Sequence, residues 1–416
     1  MSIVKPFRGL RPDKKLAAKL SCLPYDVMNA KEAAEMAKGN EQSFLHITRA
    51  EIDLDINMDP HSPTVYKKAV ENFKMFQDKG WLIKDDEPKF YIYAQTMNGR
   101  TQYGITGCAF TEDYQNEIIK KHELTRPDKE DDRMVLINEL NANAEPVFFS
   151  YRAVPEIDEI VKNIVENNSP EYDFVSSDGF GHQFWVINDP KTNQNIEKLF
   201  SEKVPYMYVA DGHHRTAAAA RVGLERKAKN PNHNGNEEYN YFLAVIFPDN
   251  QLKIIDYNRV IKDLNGNSED EFLQKLSTSF DIEKKGSEIY KPQQLHEMSL
   301  YIGGNWYKLN AKQGTYDDND PIGVLDVTIL TKQVLDPVLD IKDLRTSKRI
   351  DFVGGIRGLE ELKRRVDSGE MVCAFAMYPV SMDQLLNIAD TGNIMPPKTT
   401  WFEPKLRSGL VVHTLD

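Results

Sequence analysis

The residues best suited to chemistry lie in one short run, Asp211-Gly212-His213-His214-Arg215. It combines a carboxylate, a glycine, two imidazoles and a guanidinium. Residues 204–209 before it alternate and are β-prone, which predicts a buried strand. Thr216 and the four alanines after it open a strong helix former that the pattern carries to about Lys229. A strand that turns through glycine into a helix builds an anion site. The free N–H groups of the first turn face the ligand, and the helix dipole favours negative charge there. Gly212 lets a ligand approach the backbone, the imidazoles and Thr216 add donors, and Arg215 can grip phosphate in a two-pronged fork. Asp211 is ionised and cannot donate to phosphate. It suits holding a metal, orienting a histidine or accepting a proton. The plain structural alternative is a polar helix cap, with Asp211 as N-cap and solvated histidines.

Other segments carry chemistry-bearing side chains. Asp26 follows Leu23-Pro24-Tyr25, where proline keeps Leu23 extended, and a helix is expected over 31–38. It therefore sits in a loop and can also be read as an ordinary cap. Lys121-His122-Glu123-Leu124-Thr125-Arg126-Pro127 is dense in hydrogen-bonding groups and suits a site loop or a solvated connection. Its H-E-L-T lacks the second histidine of a zincin. Arg259 is either a phosphate donor or a structural ion-pair arginine. The stretch 394–410 places Lys398, Thr399, Thr400, Lys405 and Arg407 among three prolines and Trp401-Phe402. It reads as a strap packed on the core or as part of a phosphate site.

These blocks carry a resemblance. D-G-H-H-R-T-A-A-A resembles the phosphate-binding box of the ParB/sulfiredoxin superfamily, in which a Gly-X-His/Arg-Arg run opens a helix. It is more similar still to the domain-of-unknown-function family ten-fifteen, itself related to free-serine kinases of the ParB/sulfiredoxin fold. Pro24-Tyr25-Asp26-Val27, the H-E-x-T-x-P of 122–127, Asp132-Arg133, Asn258-Arg259 and the tail resemble that family's blocks. The resemblance implies a general base at an N-terminal carboxylate, with Asp26 the position that matches. It also implies phosphate contacts from Arg259, Lys398, Thr399, Thr400 and Lys405.

The elements that position these residues follow from periodicity. Residues 63–79 form an amphipathic helix with Gly80 as C-cap. Asn98-Gly99 joins strands 91–96 and 101–110 in a hairpin. Residues 44–49 alternate like a strand, with His46 and Arg49 at its end. Residues 132–140, 156–168 and 269–280 read as helices, and 241–247 as a fully buried strand. The expected fold is mixed α/β with antiparallel content, an α+β arrangement rather than a repeating βαβ pattern. Its ParB/sulfiredoxin-like core, built on the strand–DGHHR–helix junction, spans 1–267. An accessory α+β segment spans 268–320, and 321–416 return to the core.

The 416 residues allow one large domain or two to three ordinary ones, and 28% charged with 40% hydrophobic residues is the composition of a soluble globular chain. A net charge of −12 disfavours a nucleic-acid surface but not a nucleotide. Cys22, Cys108 and Cys373 are too scattered for a disulfide framework or zinc ribbon. No run has transmembrane length, no membrane partner is expected, and the cytoplasm is the expected compartment.

The leading expectation is phosphoryl transfer from ATP or a related donor to a small-molecule hydroxyl, with free L-serine as the first choice. Such chemistry needs positioning and charge neutralisation above all. The DGHHR run and tail lysines would hold the phosphates. Asp26 and Glu123 would hold Mg²⁺ or take the proton, with His122, Asp211 and His213 as further catalytic groups. The second expectation is a nucleotide-binding switch of ParB type. A metal hydrolase using His122, His213 and His214 is a lesser one, since their spacing matches no zinc pattern closely. Sulfiredoxin chemistry uses a cysteine where this chain has His213.

Overall fold

The computed structural model describes residues 1–55 and 58–416. The chain divides into two compact units, Met1–Leu252 with Pro404–Asp416, and Lys253–Glu403. The boundaries fall at 252 and 403, where the sequence reading places them at 267 and 320. The reason is strand pairing, described below.

The first unit is built on a nine-stranded mixed sheet. Its strands are β1 (Val4–Lys5), β2 (Tyr91–Met97), β3 (Arg100–Phe110), β4 (Ile119–Lys120), β5 (Val147–Tyr151), β6 (Tyr172–Val175), β7 (Gly181–Val186), β8 (Met207–Asp211) and β9 (Tyr241–Pro248). The order is β4-β8-β5-β9-β3-β2-β7-β6, with β1 on β3. β5 and β9 are buried at every residue and run parallel, Val245 opposite Phe148. That is the pattern of strands covered on both faces. The β2–β3 hairpin turns through Asn98 and Gly99, both at positive φ (51° and 75°), as a tight two-residue turn requires.

The longer helices of this unit that precede the site, among the described residues, are α1 (Pro63–Asp78), α2 (Pro127–Leu140), α3 (Pro155–Asn167) and α4 (Pro190–Lys203). α5 (His213–Lys229) starts three residues earlier than Thr216, the expected start, so both histidines and Arg215 form its first turn. α2 likewise starts at Pro127, not Asp132. Proline at the first position and Asp128 and Glu130 in the first turn favour the earlier start. Residues 44–49 are not a strand. Leu45–Thr48 is a helical turn in which Phe44 and Ile47, three apart, are both buried. A six-residue alternation cannot distinguish the two periods.

α5 buries Ala217–Ala220, Val222 and Gly223. Its alanines allow close approach to Met134 of α2 and Leu415. A Cβ on Gly223 would lie 2.5 Å from the Tyr239 carbonyl and 2.6 Å from Thr111 Cγ2. Gly223→Ala is therefore expected to cost about 1–3 kcal/mol by overpacking. A denaturant titration checks this, and an unchanged midpoint would show that α5 can shift at no cost.

The second unit is an antiparallel six-stranded sheet in the order β11-β13-β12-β15-β10-β14. These are β10 (Tyr257–Ile261), β11 (Phe280–Gly286), β12 (Glu297–Ile302), β13 (Asn305–Ala311), β14 (Ile350–Gly354) and β15 (Cys373–Ala376). β10 pairs with β14 and β15, and β15 pairs with β12. The segment expected as an accessory thus shares one sheet with residues on both sides of it in sequence. The helix expected over 269–280 ends at Leu276, and Phe280 begins β11. Of the tail, Trp401-Phe402 pairs with Ile254-Ile255 in the second unit. Only 404–416 join the first unit, through Ser408 against Cys22, Val412 against Leu10 and His413 against Asn143.

All three cysteines are free and buried. Among the described residues no helix is long and apolar enough to cross a membrane.

Candidate functional site at the β8–α5 junction

β8 runs antiparallel to β5 and parallel to β4, with Tyr208 opposite Lys120. The chain leaving β4 therefore runs beside the end of β8 and delivers His122 and Glu123 to the junction. The β8–β5 register shifts between Val209 and Asp211, an irregularity that re-aims the strand end. Gly212 is the N-cap of α5 at φ 85°, ψ 37°, a left-handed conformation that favours glycine. A Cβ there would also sit 3.1 Å from the Arg215 guanidinium. The first intrahelical bond runs from the Thr216 N–H to the Gly212 carbonyl at 2.9 Å. The amides of His213, His214 and Arg215 thus belong to the unpaired first turn.

Three successive side chains present buried polar atoms without a hydrogen-bond partner: His213 Nε2, His214 Nε2 and Arg215 Nε. Such atoms cost free energy unless a ligand meets them. Burial lowers the pKa of both histidines, and for His213 the neighbouring His122 and His214 add to it. Both rings are neutral at pH 7.

Arg215 is the hub. Its Nη1 donates to the Pro146 carbonyl at 2.5 Å, and its Nη2 lies 3.5 Å from Asp211 and 3.9 Å from Asp26. Lys405 reaches the other Asp211 oxygen at 3.3 Å. Burial alone would raise the Asp211 carboxyl, but Lys405 and Arg215 outweigh it and hold it below the usual carboxylate range. A carboxylate held ionised between two cations is a poor base, and Asp211 pairs with Arg215 and Lys405 while its charge also acts on His122. Glu123 Oε2 lies 3.8 Å from His213 Nδ1. The Asp26 and Glu123 side chains are 39% and 41% exposed, so both face solvent.

His122 is 1% exposed and meets His213 edge-to-face, ring centroids 4.6 Å apart. Burial lowers its pKa to about 4, against the pull of Asp211 and the Val209 backbone. The folded value thus lies below the unfolded value of about 6.5. The unfolded chain binds more protons in mild acid. The stability contributed by this ring is complete above pH 6.5 and is lost as pH falls toward 4, by about 2–3 kcal/mol. Unfolding midpoints between pH 7 and 4 should show that slope, reduced in His122→Gln. An equal slope in the variant would contradict the assignment.

A shell of polar side chains, of which Glu145 and Ser408 are not evident from sequence, supports Asp26. Arg133 stacks its guanidinium 3.8 Å from the Tyr25 ring centroid and bonds Asp132 and Glu145 at 2.6 and 3.3 Å. Glu145 also accepts from the Tyr25 N–H (3.1 Å) and Ser408 Oγ (3.3 Å). Arg49 donates to the Tyr25 and Met28 carbonyls. Together these fix the 3₁₀ turn Tyr25–Val27 that carries Asp26. The available signal was a lone charge, Glu145, heading an otherwise apolar strand. The Thr216 hydroxyl donates back to the Gly212 carbonyl (3.0 Å), so its proton is not directed at a ligand.

Asp26, His122, Glu123, Asp211–Thr216 and Lys405 therefore belong to the first unit. Arg259, Lys398, Thr399 and Thr400 belong to the second. There, Arg259 Nη2 donates to the Lys398 carbonyl at 3.1 Å, and the Thr399 hydroxyl to the Pro396 carbonyl at 2.6 Å.

No curated protein matches the chain in sequence. Among solved structures it is similar to a free serine kinase in complex with AMP, at 13% identity and TM-score 0.34, covering 69% of this chain and 84% of that one. It is similar to SbnI with a C-terminal truncation from Staphylococcus aureus at 9% identity and TM-score 0.38, covering 73% and 84%. A conserved hypothetical protein from Pyrococcus furiosus gives 13% identity and TM-score 0.33, covering 69% and 87%. Residues 4–328 match the family described as Protein of unknown function (DUF1015), and the chain belongs to that family.

Proposed function

We propose that this protein is a phosphotransferase that moves a phosphoryl group from ATP or a related donor to the hydroxyl of a small molecule, free L-serine being the first acceptor to test. The observation that carries the reading is the set of buried, unpartnered side-chain nitrogens on His213, His214 and Arg215 at the start of a 17-residue helix. Neutral imidazoles, a guanidinium and free amides on one turn match the oxygens of a phosphate chain. Arg215 and Lys405 supply the positive charge that phosphoryl transfer needs. The ParB/sulfiredoxin-like character of this core rests on the resemblance of the DGHHR box.

Asp26 takes the acceptor proton in this reading. It is solvent-facing, held on a braced turn and close to Arg215, whereas Asp211 is committed to two cations. Lys405 joins Arg215 at the phosphates, and Thr216 supports the turn through its backbone bond. Mg²⁺ binds nucleotide sites through one or two carboxylates plus phosphate oxygens. Among the described residues no three of His, Cys, Asp or Glu group as a metal cage. Asp26 and Glu123, both solvent-facing carboxylates, would hold a Mg²⁺ carried in with the phosphates, where it would neutralise their charge.

Calorimetric titration with ATP, ADP and pyrophosphate in Mg²⁺ tests the reading. Saturable binding of at least one donor is expected. Binding of none would mean that the junction is structural or serves another anion.

A further inference from the structure

Lys405, the second cation at Asp211, is delivered by chain without regular structure. Residues 404–407 are neither strand nor helix, and the tail's first bridge in this unit is Ser408 against Cys22. Buried backbone groups outside a helix or sheet need other partners. Two such groups here are held by side chains of β2. The Lys405 carbonyl accepts from Gln95 Nε2 at 3.0 Å, and the Arg407 N–H donates to Tyr93 Oη at 3.3 Å. Tyr93 and Gln95 are two apart on the strand and share a face, and both are buried. Gln102, opposite Gln95 on β3, donates to Gln95 Oε1 at 3.1 Å, which turns the Gln95 amide nitrogen to Lys405.

Arg407 ties this face to the surface. Its guanidinium is buried, pairs with Asp178 on the turn between β6 and β7, and donates to Ser176 Oγ at 3.0 Å and to His182 Nε2 at 3.3 Å. A guanidinium only donates. His182 Nε2 is therefore the acceptor, and the contact assigns the ring proton to Nδ1, 2.8 Å from Tyr93 Oη. Burial and the Arg407 charge push the His182 pKa down to about 3, so the ring stays neutral. Tyr93 Oη accepts from His182 and from the Arg407 backbone, and it also bonds the Gln95 side chain. One connected set of bonds thus runs from Asp178, whose side chain is 33% exposed, to the Lys405 carbonyl.

We infer that Arg407 is a positioning residue for Lys405. It clamps the tail between the β6–β7 turn and β2, so that the Lys405 ammonium reaches Asp211 and the phosphates of a bound donor. The tail's other attachments, Val412 against Leu10 and His413 against Asn143, lie further along the chain and leave the direction of Lys405 to this clamp. Only the phosphate contact of Lys405 rests on the phosphotransferase reading. A plain tail anchor would add stability without acting through Lys405, so the two roles part once Lys405 is removed.

The test uses the full chain as wild type, Lys405→Ala, Asp178→Ala, Asp178→Glu, and Asp178→Ala combined with Lys405→Ala. Asp178 lies on an exposed turn, which avoids the unfolding that replacement of buried Arg407 could bring. Calorimetric titration with pyrophosphate in Mg²⁺ should show about tenfold weaker binding for Lys405→Ala and about threefold for Asp178→Ala. Asp178→Glu should recover the wild-type value, and Asp178→Ala should add no loss once Lys405 is gone. Acetylation of Lys405 by a water-soluble ester, mapped by mass spectrometry, should be severalfold faster in Asp178→Ala than in wild type or Asp178→Glu, while other lysines keep their rates. Equal weakening by Asp178→Ala with and without Lys405 would overturn the clamp, as would an unchanged Lys405 acetylation rate. A wild type that binds no pyrophosphate would remove the phosphate role of the junction. The acetylation rates would then decide the clamp alone, faster modification in Asp178→Ala supporting it and an equal rate overturning it.

Discussion

Replacing Arg215 with alanine is expected to weaken nucleotide binding at the helix junction at least tenfold. The guanidinium is buried, fixed by the Pro146 carbonyl and flanked by Asp26 and Asp211. Its Nε has no partner and is available to a ligand oxygen. A charge-assisted bond of this kind is worth about 1.5–3 kcal/mol. The variant also leaves two carboxylates facing the incoming phosphates with only Lys405 to offset them, so the loss should lie at the upper end. Titration with ATP measures it, after circular dichroism has shown that the variant is folded. An unchanged dissociation constant would remove Arg215 from phosphate binding.

Glu145→Ala should have the largest effect on stability, about 3 kcal/mol, because it strands buried donors. Its carboxylate joins Arg133, the Tyr25 amide and Ser408, which come from three distant parts of the chain. Arg133 retains Asp132 at 2.6 Å, which limits the loss. Glu145→Gln keeps an acceptor in place and should cost less than the alanine variant. Urea titration of both variants checks the order and size. A loss below 1 kcal/mol for Glu145→Ala would show that the shell around Asp26 is not held by this carboxylate.

Much of the site could be read from residue types. Asp211–Arg215 announces itself because polar groups crowd a point where strand and helix patterns meet, and Gly212 does adopt the left-handed conformation that such a turn needs. The helix start was misplaced because histidine and arginine are weaker signals than the alanines that follow. Tertiary packing of His213 and Arg215 draws them into the helix. Residues 44–49 differ from the expected strand because an alternation over six residues is too short to separate a two-residue period from a helical one. The role of Glu145 and Arg133 was hidden because their partners lie more than a hundred residues away in Tyr25 and Ser408. Nor does local sequence show that residues 257–261 pair with 350–354 and 373–376, which is why the second unit begins earlier than composition suggests.

The most direct test of the central claim is a phosphorus NMR time course of the chain with ATP, Mg²⁺ and L-serine. The account predicts perturbed ATP resonances on binding, then growth of a phosphoserine resonance together with ADP, and loss of that product in Arg215→Ala. ATP resonances that neither shift, broaden nor decline in the presence of the wild-type chain would contradict it.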